Sequence, residues 1–216
     1  MGYTTPRVNR HVCSRPLRGH CGIRLDMALI EAVPNVSEGR RAPVIRALTA
    51  AVRGYPDVTL LDVSSDAAHN RTVLTLVGPP GGLHMALISL YAVAVEAIDL
   101  RAHTGEHPRI GAVDVVPLVP LAPEDMGVCV GAATTLAEAV AARFDIPVYL
   151  YGAAARVPDR QRLELIRRGE FEGLASKMRE DAWRPDFGPS RPHASAGATA
   201  IGARKVLIAF NINLQT

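Results

Sequence analysis

Residues 101–120 have the sequence RAHTGEHPRIGAVDVVPLVP, a polar loop followed at once by an apolar run. The loop brings two imidazoles, a carboxylate and two guanidinium groups together within nine residues. Gly105, Pro108 and Gly111 argue against a helix here, whereas residues 113–120 have the composition of a strand. Polar side chains in a rigid loop at the end of a strand are common positions for chemistry.

Strands and helices alternate on the N-terminal side of this stretch. The patterning predicts strands at residues 29–33, 58–63 and 71–77, and helices from Pro43 to about Arg53 and from Leu83 to Leu100. With the strand at 113–120, the order is β-α-β-β-α-β, the split βαβ pattern of ferredoxin-like domains. The expected fold is therefore α+β, a ferredoxin-like two-layer sandwich in which two helices cover one face of an antiparallel sheet.

An appended helix-strand unit is predicted on the C-terminal side. The helix runs from about Pro123 to Phe144, the strand occupies residues 147–151, and short helices follow near 161–168 and 171–177. Residues 184–203 have no periodicity and are predicted to be a long loop that is functional or disordered. The apolar composition of residues 205–210 predicts a further strand. It is either the first element of a unit that is otherwise absent or an addition to the sheet edge.

Charge is distributed unevenly along the chain. The sequence contains 24 Lys and Arg and 21 Asp and Glu, but five of the Arg and only one of the acids lie in residues 1–26. Residues 27–216 therefore carry 19 basic and 20 acidic groups, so no nucleic-acid partner is expected from charge. The apolar helix at 83–100 contains Glu96 and Asp99 and is short for a bilayer span, so no membrane partner is expected either.

The basic N-terminal segment lacks the apolar core of a secretory signal. Because Met27 directly precedes the first strand, residues 1–27 are predicted to be a disordered tail or the product of a misassigned start. Cys13 and Cys21 lie in this tail and only Cys129 lies in the body. No disulfide framework is expected, and the cytoplasm is the default location.

His103 and His107 are four residues apart, a spacing that would suit a metal ion if both lay on a helix. Gly105 and Pro108 exclude that helix, so a metal site, and with it a His-based metal hydrolase, is the weaker interpretation. Proton transfer is the favoured role for these histidines, because the imidazole group titrates close to physiological pH. The ordinary alternative is that either ring only binds a backbone group.

Two arginines and two carboxylates lie near the ends of the predicted strands. Arg71, which comes after Asn70, and Arg109 lie at strand-loop junctions. Each could hold a carboxylate through two parallel hydrogen bonds or could form an ordinary surface salt bridge. Asp62 ends a predicted strand and Asp66 lies in the loop after it. Each is either a turn cap or a site residue.

Seven runs of the chain together resemble, in order, the formiminotransferase domain of the glutamate formimidoyltransferase family. The runs are VPNVSEGR (33–40), NRTV (70–73), HTGEHPRIGAVDV (103–115), PVYLYG (147–152), RGEFE (168–172), PDFGP (185–189), and GAT with GARK (197–199 and 202–205). The resemblance extends from about Leu29 to Leu214. It implies that a formimino group is transferred from N-formimino-L-glutamate to N5 of tetrahydrofolate, a co-substrate, and that no metal is needed.

The same resemblance implies which residues act. It places the general acid/base on the His of the His-Pro-Arg run, which is His107. It makes five residues candidates for substrate binding: Asp62, Asp66, Asn70, Arg71 and Arg109. The family's folate-contacting loop corresponds to residues 188–197, the predicted folate segment, which comprises Gly188, Pro189, Ser190, Arg191, Pro192, His193, Ala194, Ser195, Ala196 and Gly197. Whether a formimino or a formyl donor is preferred is left open.

Two departures from the family are visible. Animal members have an acid two residues after the position of Asp62, where this chain has Ser64. The family also continues into a second ferredoxin-like subdomain, and its substrates lie in the cleft between the two. The expected division is therefore the tail at 1–27, an N-terminal subdomain at 28–200, and at 201–216 a linker with the first strand of a mostly absent second subdomain.

The missing half of the cleft suggests two kinds of partner and a second function. A homodimer or a separate second-subdomain chain would complete the cleft around the small-molecule substrates, formiminoglutamate and folate. The alternative function is a non-catalytic folate-binding or subunit-interaction module, whose missing half would be supplied by dimerisation or by a separate chain.

Overall fold

The computed structural model describes residues 28–207, which form an α+β fold around one mixed, seven-stranded sheet. The strands are β1 (Ile30–Ala32), β2 (Asn35–Val36), β3 (Thr59–Asp66), β4 (Arg71–Gly78), β5 (Val113–Pro120), β6 (Val148–Gly152) and β7 (Thr199–Ala203). The helices are α1 (Ala42–Arg53), α2 (Pro80–Ala97), α3 (Met126–Phe144), α4 (Leu163–Arg167) and α5 (Glu170–Lys177). The predicted α+β class is confirmed.

The sheet has an antiparallel part and a parallel part. Its order is β3-β4-β1-β5-β7-β6, and the short β2 continues β1 between β4 and β5. Every pairing from β3 to β5 is antiparallel, with Ala32 lying between Leu76 of β4 and Leu118 of β5. Strand β7 is parallel to both β5 and β6. The first six predicted elements are therefore present and occupy the antiparallel part together.

Three helices cover one face of the sheet. Helix α1 contacts α2, α2 contacts α3, and α3 lies over β5, β6 and β7. Leu74 and Leu76 of β4 point to these helices and are fully buried. Helix α2 is apolar on nearly all sides because it packs between two helices and the sheet. Like the segment Pro123–Phe144, it has the length and composition of a membrane span, but its packing is that of the predicted core helix.

The opposite face is covered only in its parallel part. Tyr149 and Tyr151 of β6 point away from α3 and pack with Ile166 of α4 and Leu174 of α5 in a second apolar cluster. The side of β4 that alternates with the buried leucines carries Arg71, Val73, Thr75 and Val77, all only partly buried. We call this side of β3 and β4 the open face. No helix among residues 28–207 lies over it.

The prediction of a loop at residues 184–203 is wrong for the C-terminal end of this range. Thr199–Ala203 forms β7, a fully buried strand between β5 and β6. Three of its five residues are Ala or Gly, and space is short at Gly202, where a Cβ would collide with the backbone oxygen of Tyr151. Gly and Ala have low intrinsic strand preference, so the preference of these residues did not indicate the strand.

Several predicted boundaries also differ. A 3-10 turn at Pro123–Asp125 precedes α3, and the helix predicted at 161–168 is limited to α4. Residues 204–207 form no strand. The remainder of the strand predicted at 205–210, and the tail at 1–27, lie outside the described residues.

Candidate functional site

Residues 101–112, the histidine loop, connect the end of α2 to β5 without a helix, as predicted. The loop packs closely on the turn between β3 and β4. A Cβ at Gly105 would lie 2.5 Å from the backbone oxygen of His69, so only glycine permits this approach. The close packing brings His107 to the end of β4.

Asn70 holds the turn against its neighbours. Its backbone is left-handed, with φ of 49°, a conformation that Asn tolerates better than most residues. The side-chain oxygen accepts the backbone N–H of Gly39 at 2.9 Å, and the side-chain nitrogen donates to the backbone oxygen of Thr104 at 2.9 Å. Asn70, a predicted substrate-binding residue, thus uses its amide to join three segments around the site.

Arg71 and His107 are in direct contact at the edge of the open face. The Nη1 of Arg71 donates a hydrogen bond to Nε2 of His107 over 2.6 Å. Because guanidinium stays protonated and has no acceptor, Nε2 holds the lone pair of the neutral imidazole and the ring proton is on Nδ1. The contact therefore fixes the tautomer of His107.

Burial and nearby cations keep His107 neutral. Burial lowers the pKa of His107 to about 4, and the charges of Arg71 and Arg167 act in the same direction. Arg167 is held by the buried carboxylate of Asp114, which accepts its Nε–H at 2.9 Å and the backbone N–H of Ile110 at 2.8 Å. The site thus contains a neutral base among positive charges, an environment that suits substrates with carboxylates.

A second imidazole lies beside His107. Asp66 accepts the backbone N–H of His69 on Oδ1 at 2.9 Å and the ring Nδ1 of His69 on Oδ2 at 2.8 Å. The His69 and His107 ring centroids are 6.2 Å apart, in an edge-to-face arrangement. His69 is not among the site residues predicted from the sequence. The sequence signal that could have indicated this residue is an acid three residues before a His, in a turn between two strands.

Arg109 points away from this pair of rings. Its side chain is 9% exposed and forms salt bridges of 2.8 Å with Glu170 and Glu172 of α5. Its Nε also donates to Nδ1 of His103 at 3.1 Å, so His103 carries its proton on Nε2 and donates it to the backbone oxygen of Asn70. Arg109 and His103 thus bind protein groups, the ordinary alternative for both residues.

The two predicted carboxylates lie at different places on β3. Asp66 ends the strand beside the histidine loop, whereas Asp62 is exposed opposite Thr75 in mid-strand. Four residues of extended chain separate them, which is about 13 Å. Ser64, between the two, pairs with Val73 and is exposed. The structure therefore brings Asp66, but not Asp62, to the two imidazoles.

The predicted folate segment meets the histidine loop only near its C-terminal end. The backbone N–H of Ala112 donates to the oxygen of Ala196, and the N–H of Leu100 donates to the oxygen of Ser195. Earlier in the segment, Arg191 pairs with Asp145 at the end of α3 over 2.5 Å. The segment thus runs from the helical side of the sheet toward the histidine loop.

Among residues 28–207, no three His, Cys, Asp or Glu side chains are grouped so that they could hold a metal ion. His103 and His107, the pair with metal-ligand spacing, bind Arg109 and Arg71 instead. The described groups can exchange a proton at imidazole nitrogens and can bind anions at arginines.

Comparison with known proteins identifies what this arrangement resembles. The family described as "Formiminotransferase domain, N-terminal subdomain" matches residues 29–204. A glutamate formimidoyltransferase of Streptococcus pyogenes is 46% identical over 188 residues, which are 87% of this chain and 63% of the relative. One from Thermoplasma acidophilum is 45% identical over 88% of this chain and 63% of the relative.

Longer proteins match over the same region. A formimidoyltransferase-cyclodeaminase of Rattus norvegicus is 48% identical over 186 residues, which are 86% of this chain and 34% of the relative. The chain thus spans 63% of the first relative and about a third of the rat protein.

Proposed function

The chain belongs to the formiminotransferase family, as its N-terminal subdomain, and on that premise we propose that it transfers a formimino group from N-formimino-L-glutamate to N5 of tetrahydrofolate. The names of its relatives support this reaction. Because the chain spans only part of those relatives, the proposal assigns it the portion of the site that lies on this subdomain.

The observation that carries the proposal is the hydrogen bond from Arg71 to Nε2 of His107. Attack by N5 on the amidine carbon requires N5 to lose a proton, and departure of glutamate requires its nitrogen to gain one. A neutral imidazole with its lone pair at Nε2 can accept the first proton and return it as the second. His107 is therefore assigned as the acid/base.

Arg71 connects substrate binding to this chemistry. Both substrates carry carboxylates, and an arginine at the end of a strand can bind one with two parallel hydrogen bonds. A carboxylate that takes over the donors of Arg71 would release Nε2 of His107 to accept the proton. Arg167 adds positive charge on the same side. Binding of the anionic substrate would thus free the base.

The other predicted site residues take different parts in the proposal. Asn70 and Arg109 position the histidine loop, since their polar atoms are bound to protein groups. Asp62 remains a proposed contact for a substrate that extends along the open face. Tetrahydrofolate is proposed to contact residues 188–197, with its N5 toward the end of the segment that meets the histidine loop. Transfer between two positioned substrates requires no metal.

The antiparallel part of the sheet supports a finer description of the fold. The strand order is β3-β4-β1-β5, with α1 and α2 on one face, and we propose that these elements are a ferredoxin-like unit extended by α3, β6 and β7. The open face of this unit is proposed as the surface on which a second subdomain closes the cleft. A second copy of the chain or a separate chain would supply it.

Assay of the purified chain with formiminoglutamate and tetrahydrofolate tests the proposal. Mass spectrometry should detect formimino-tetrahydrofolate and glutamate in equal amounts. His107→Ala should lower the turnover number by roughly two to four orders of magnitude. His84→Ala removes an imidazole from a groove between α2 and α3 and serves as the matched control. Near-normal turnover in His107→Ala, or no product from the unaltered chain at saturating substrates, would contradict the proposal.

A further inference from the structure

We propose that His69, held by Asp66, is a second acid–base group of this site and shares the proton transfer with His107. This inference rests on the proposed formimino transfer and deepens it. It concerns the two rings that the turn between β3 and β4 and the histidine loop bring together.

The orientation of His69 is fixed by the carboxylate. Asp66 binds both the backbone N–H and the ring Nδ1 of His69, at 2.9 and 2.8 Å. An ionised carboxylate only accepts hydrogen bonds, so Nδ1 carries the proton and Nε2 has the lone pair. These bonds lower the pKa of Asp66, which therefore stays charged. Its negative charge can compensate a positive imidazole when Nε2 takes up a proton, as a carboxylate behind a histidine does in hydrolases.

The environment of His107 is the opposite. Its Nε2 accepts from a guanidinium, and the charges next to it are positive. One ring is thus backed by an anion and the other by cations. Paired titratable groups in contrasting environments are the usual arrangement in sites where one group removes a proton and the other delivers one.

The proposed step conserves protons. When both rings act, nitrogen N5 of tetrahydrofolate forms a bond to the amidine carbon, and Nε2 of His69, in place of His107, takes the proton from N5. That proton passes through a bridging water to His107, and His107 hands it to the glutamate nitrogen as the carbon–nitrogen bond breaks. The electron pair of that bond stays on the leaving nitrogen. Both rings end neutral, and no other reactant is needed.

Charged and polar groups from several segments lie around the turn that carries His69. Asp66 is on its own turn, His107 and the backbone of Glu106 come from the histidine loop, and Arg71 comes from β4. Arg40 approaches from the segment before α1 and donates its Nε–H to the oxygen of Ala67 at 2.7 Å. These neighbouring groups can also contribute to the pH profile of kcat, so the profile of each variant is compared with that of the unaltered chain.

Asp66 also caps the turn, so a purely structural role has to be tested separately. Both side chains are about half exposed, at 50% for Asp66 and 45% for His69, which is consistent with contact to a substrate from solvent. If Asp66 only caps the turn, its substitution should lower Tm but leave the turnover of the folded protein unchanged. A proton-transfer role would change turnover and its pH profile in protein that remains folded.

The experiment compares His69→Gln and Asp66→Asn with Asp99→Asn. Asp99 is an exposed carboxylate that caps a turn and pairs with Arg101 at the start of the histidine loop, and it has no hydrogen bond to either ring, so it is a matched control. For each protein, kcat and KM for formimino transfer are measured from pH 5 to 9, together with Tm. His69→Gln should lower kcat by roughly tenfold to a thousandfold, change KM by less than about threefold, and change the shape of the kcat profile.

Asp66→Asn should lower kcat less than His69→Gln, because the ring is kept and only its orientation and charge compensation are lost. Asp99→Asn should match the unaltered chain. If the unaltered chain transfers formimino groups and His69→Gln has the same kcat and pH profile, the role of His69 is refuted and the proposed function stands. If the unaltered chain transfers nothing, the proposed function fails, and this inference fails with it.

Discussion

Arg71 donates a hydrogen bond to Nε2 of His107 at 2.6 Å, so the nitrogen available for proton transfer is occupied by a cation before substrate binds. The two residues come from distant parts of the chain. Asn70 holds the turn before β4 against the histidine loop, and Gly105 allows the loop to approach. The site thus depends on backbone contacts that align an arginine and an imidazole.

Replacing Arg71 with Met should affect both binding and titration. The KM for formiminoglutamate should rise by about tenfold to a hundredfold, the equivalent of losing a charge-assisted pair. The pKa of His107 should rise from about 4 because one of the cations that lower it is removed, although burial, the larger cause, remains. Arg101→Met, at an exposed ion pair with Asp99, is the control. NMR titration that finds the His107 ring unchanged in Arg71→Met would refute the coupling.

The low pKa of His107 also predicts how stability depends on pH. Unfolded His titrates near 6.5, whereas folded His107 titrates near 4. Between these values the unfolded chain binds the proton and the folded chain does not. The contribution of His107 to stability is therefore present above pH 6.5 and is lost as pH falls toward 4. Burial lowers the pKa of His103 too, so it acts in the same direction.

Urea denaturation at pH 7 and pH 5 measures this effect. The free energy of unfolding should fall between the two by a contribution on the order of 1 kcal/mol from His107, after allowance for solvent screening of the half-buried ring. His107→Gln should show a smaller fall than the unaltered chain, while the contribution of His103 remains. Equal pH dependence in both proteins would mean that His107 titrates normally when folded.

Most of the fold could be predicted because its first strands and helices differ in apolar periodicity and are separated by Gly and Pro. Strand β7 could not, because the short distance to the Tyr151 backbone requires a glycine at position 202, and glycine has a low strand preference. The site shows the same division. Single site residues could be predicted from the sequence. The contact of Arg71 with His107 could not, because it joins positions 36 residues apart and periodicity indicates only local structure.

Arg109 illustrates the limit on assigning roles from residue type. Its position beside a candidate histidine suggested a substrate clamp, yet its guanidinium binds Glu170 and Glu172. Both acids lie in the run at residues 168–172, for which no contact with Arg109 was predicted. His69 illustrates the converse. Its carboxylate partner is three residues away, a local signal that sequence analysis could have used.

The ion pairs of Arg109 should therefore matter for stability. Arg109→Met keeps most of the side-chain volume but removes the bonds to α5 and to His103. The free energy of unfolding should fall by about 1–3 kcal/mol, the usual cost of losing hydrogen bonds to charged groups. Arg162→Met is the control, because its pair with Glu164 is about two-thirds exposed on both sides and should contribute less than about 1 kcal/mol. Equal losses in the two variants would contradict a structural role for Arg109.

Binding of tetrahydrofolate to the chain alone should be weak, because the open face leaves the site in contact with water. Val73, Thr75 and Val77 are partly exposed there, and water weakens every electrostatic contact that an enclosed cleft would strengthen. Calorimetry should give a Kd on the order of millimolar, equivalent to about −4 kcal/mol. Titrations at two protein concentrations that differ tenfold test the source of the missing cover. Tighter binding at the higher concentration would support a second copy of the chain, whereas unchanged weak binding would favour a separate chain. Micromolar binding by a protein that sedimentation shows to be monomeric would refute the need for any cover.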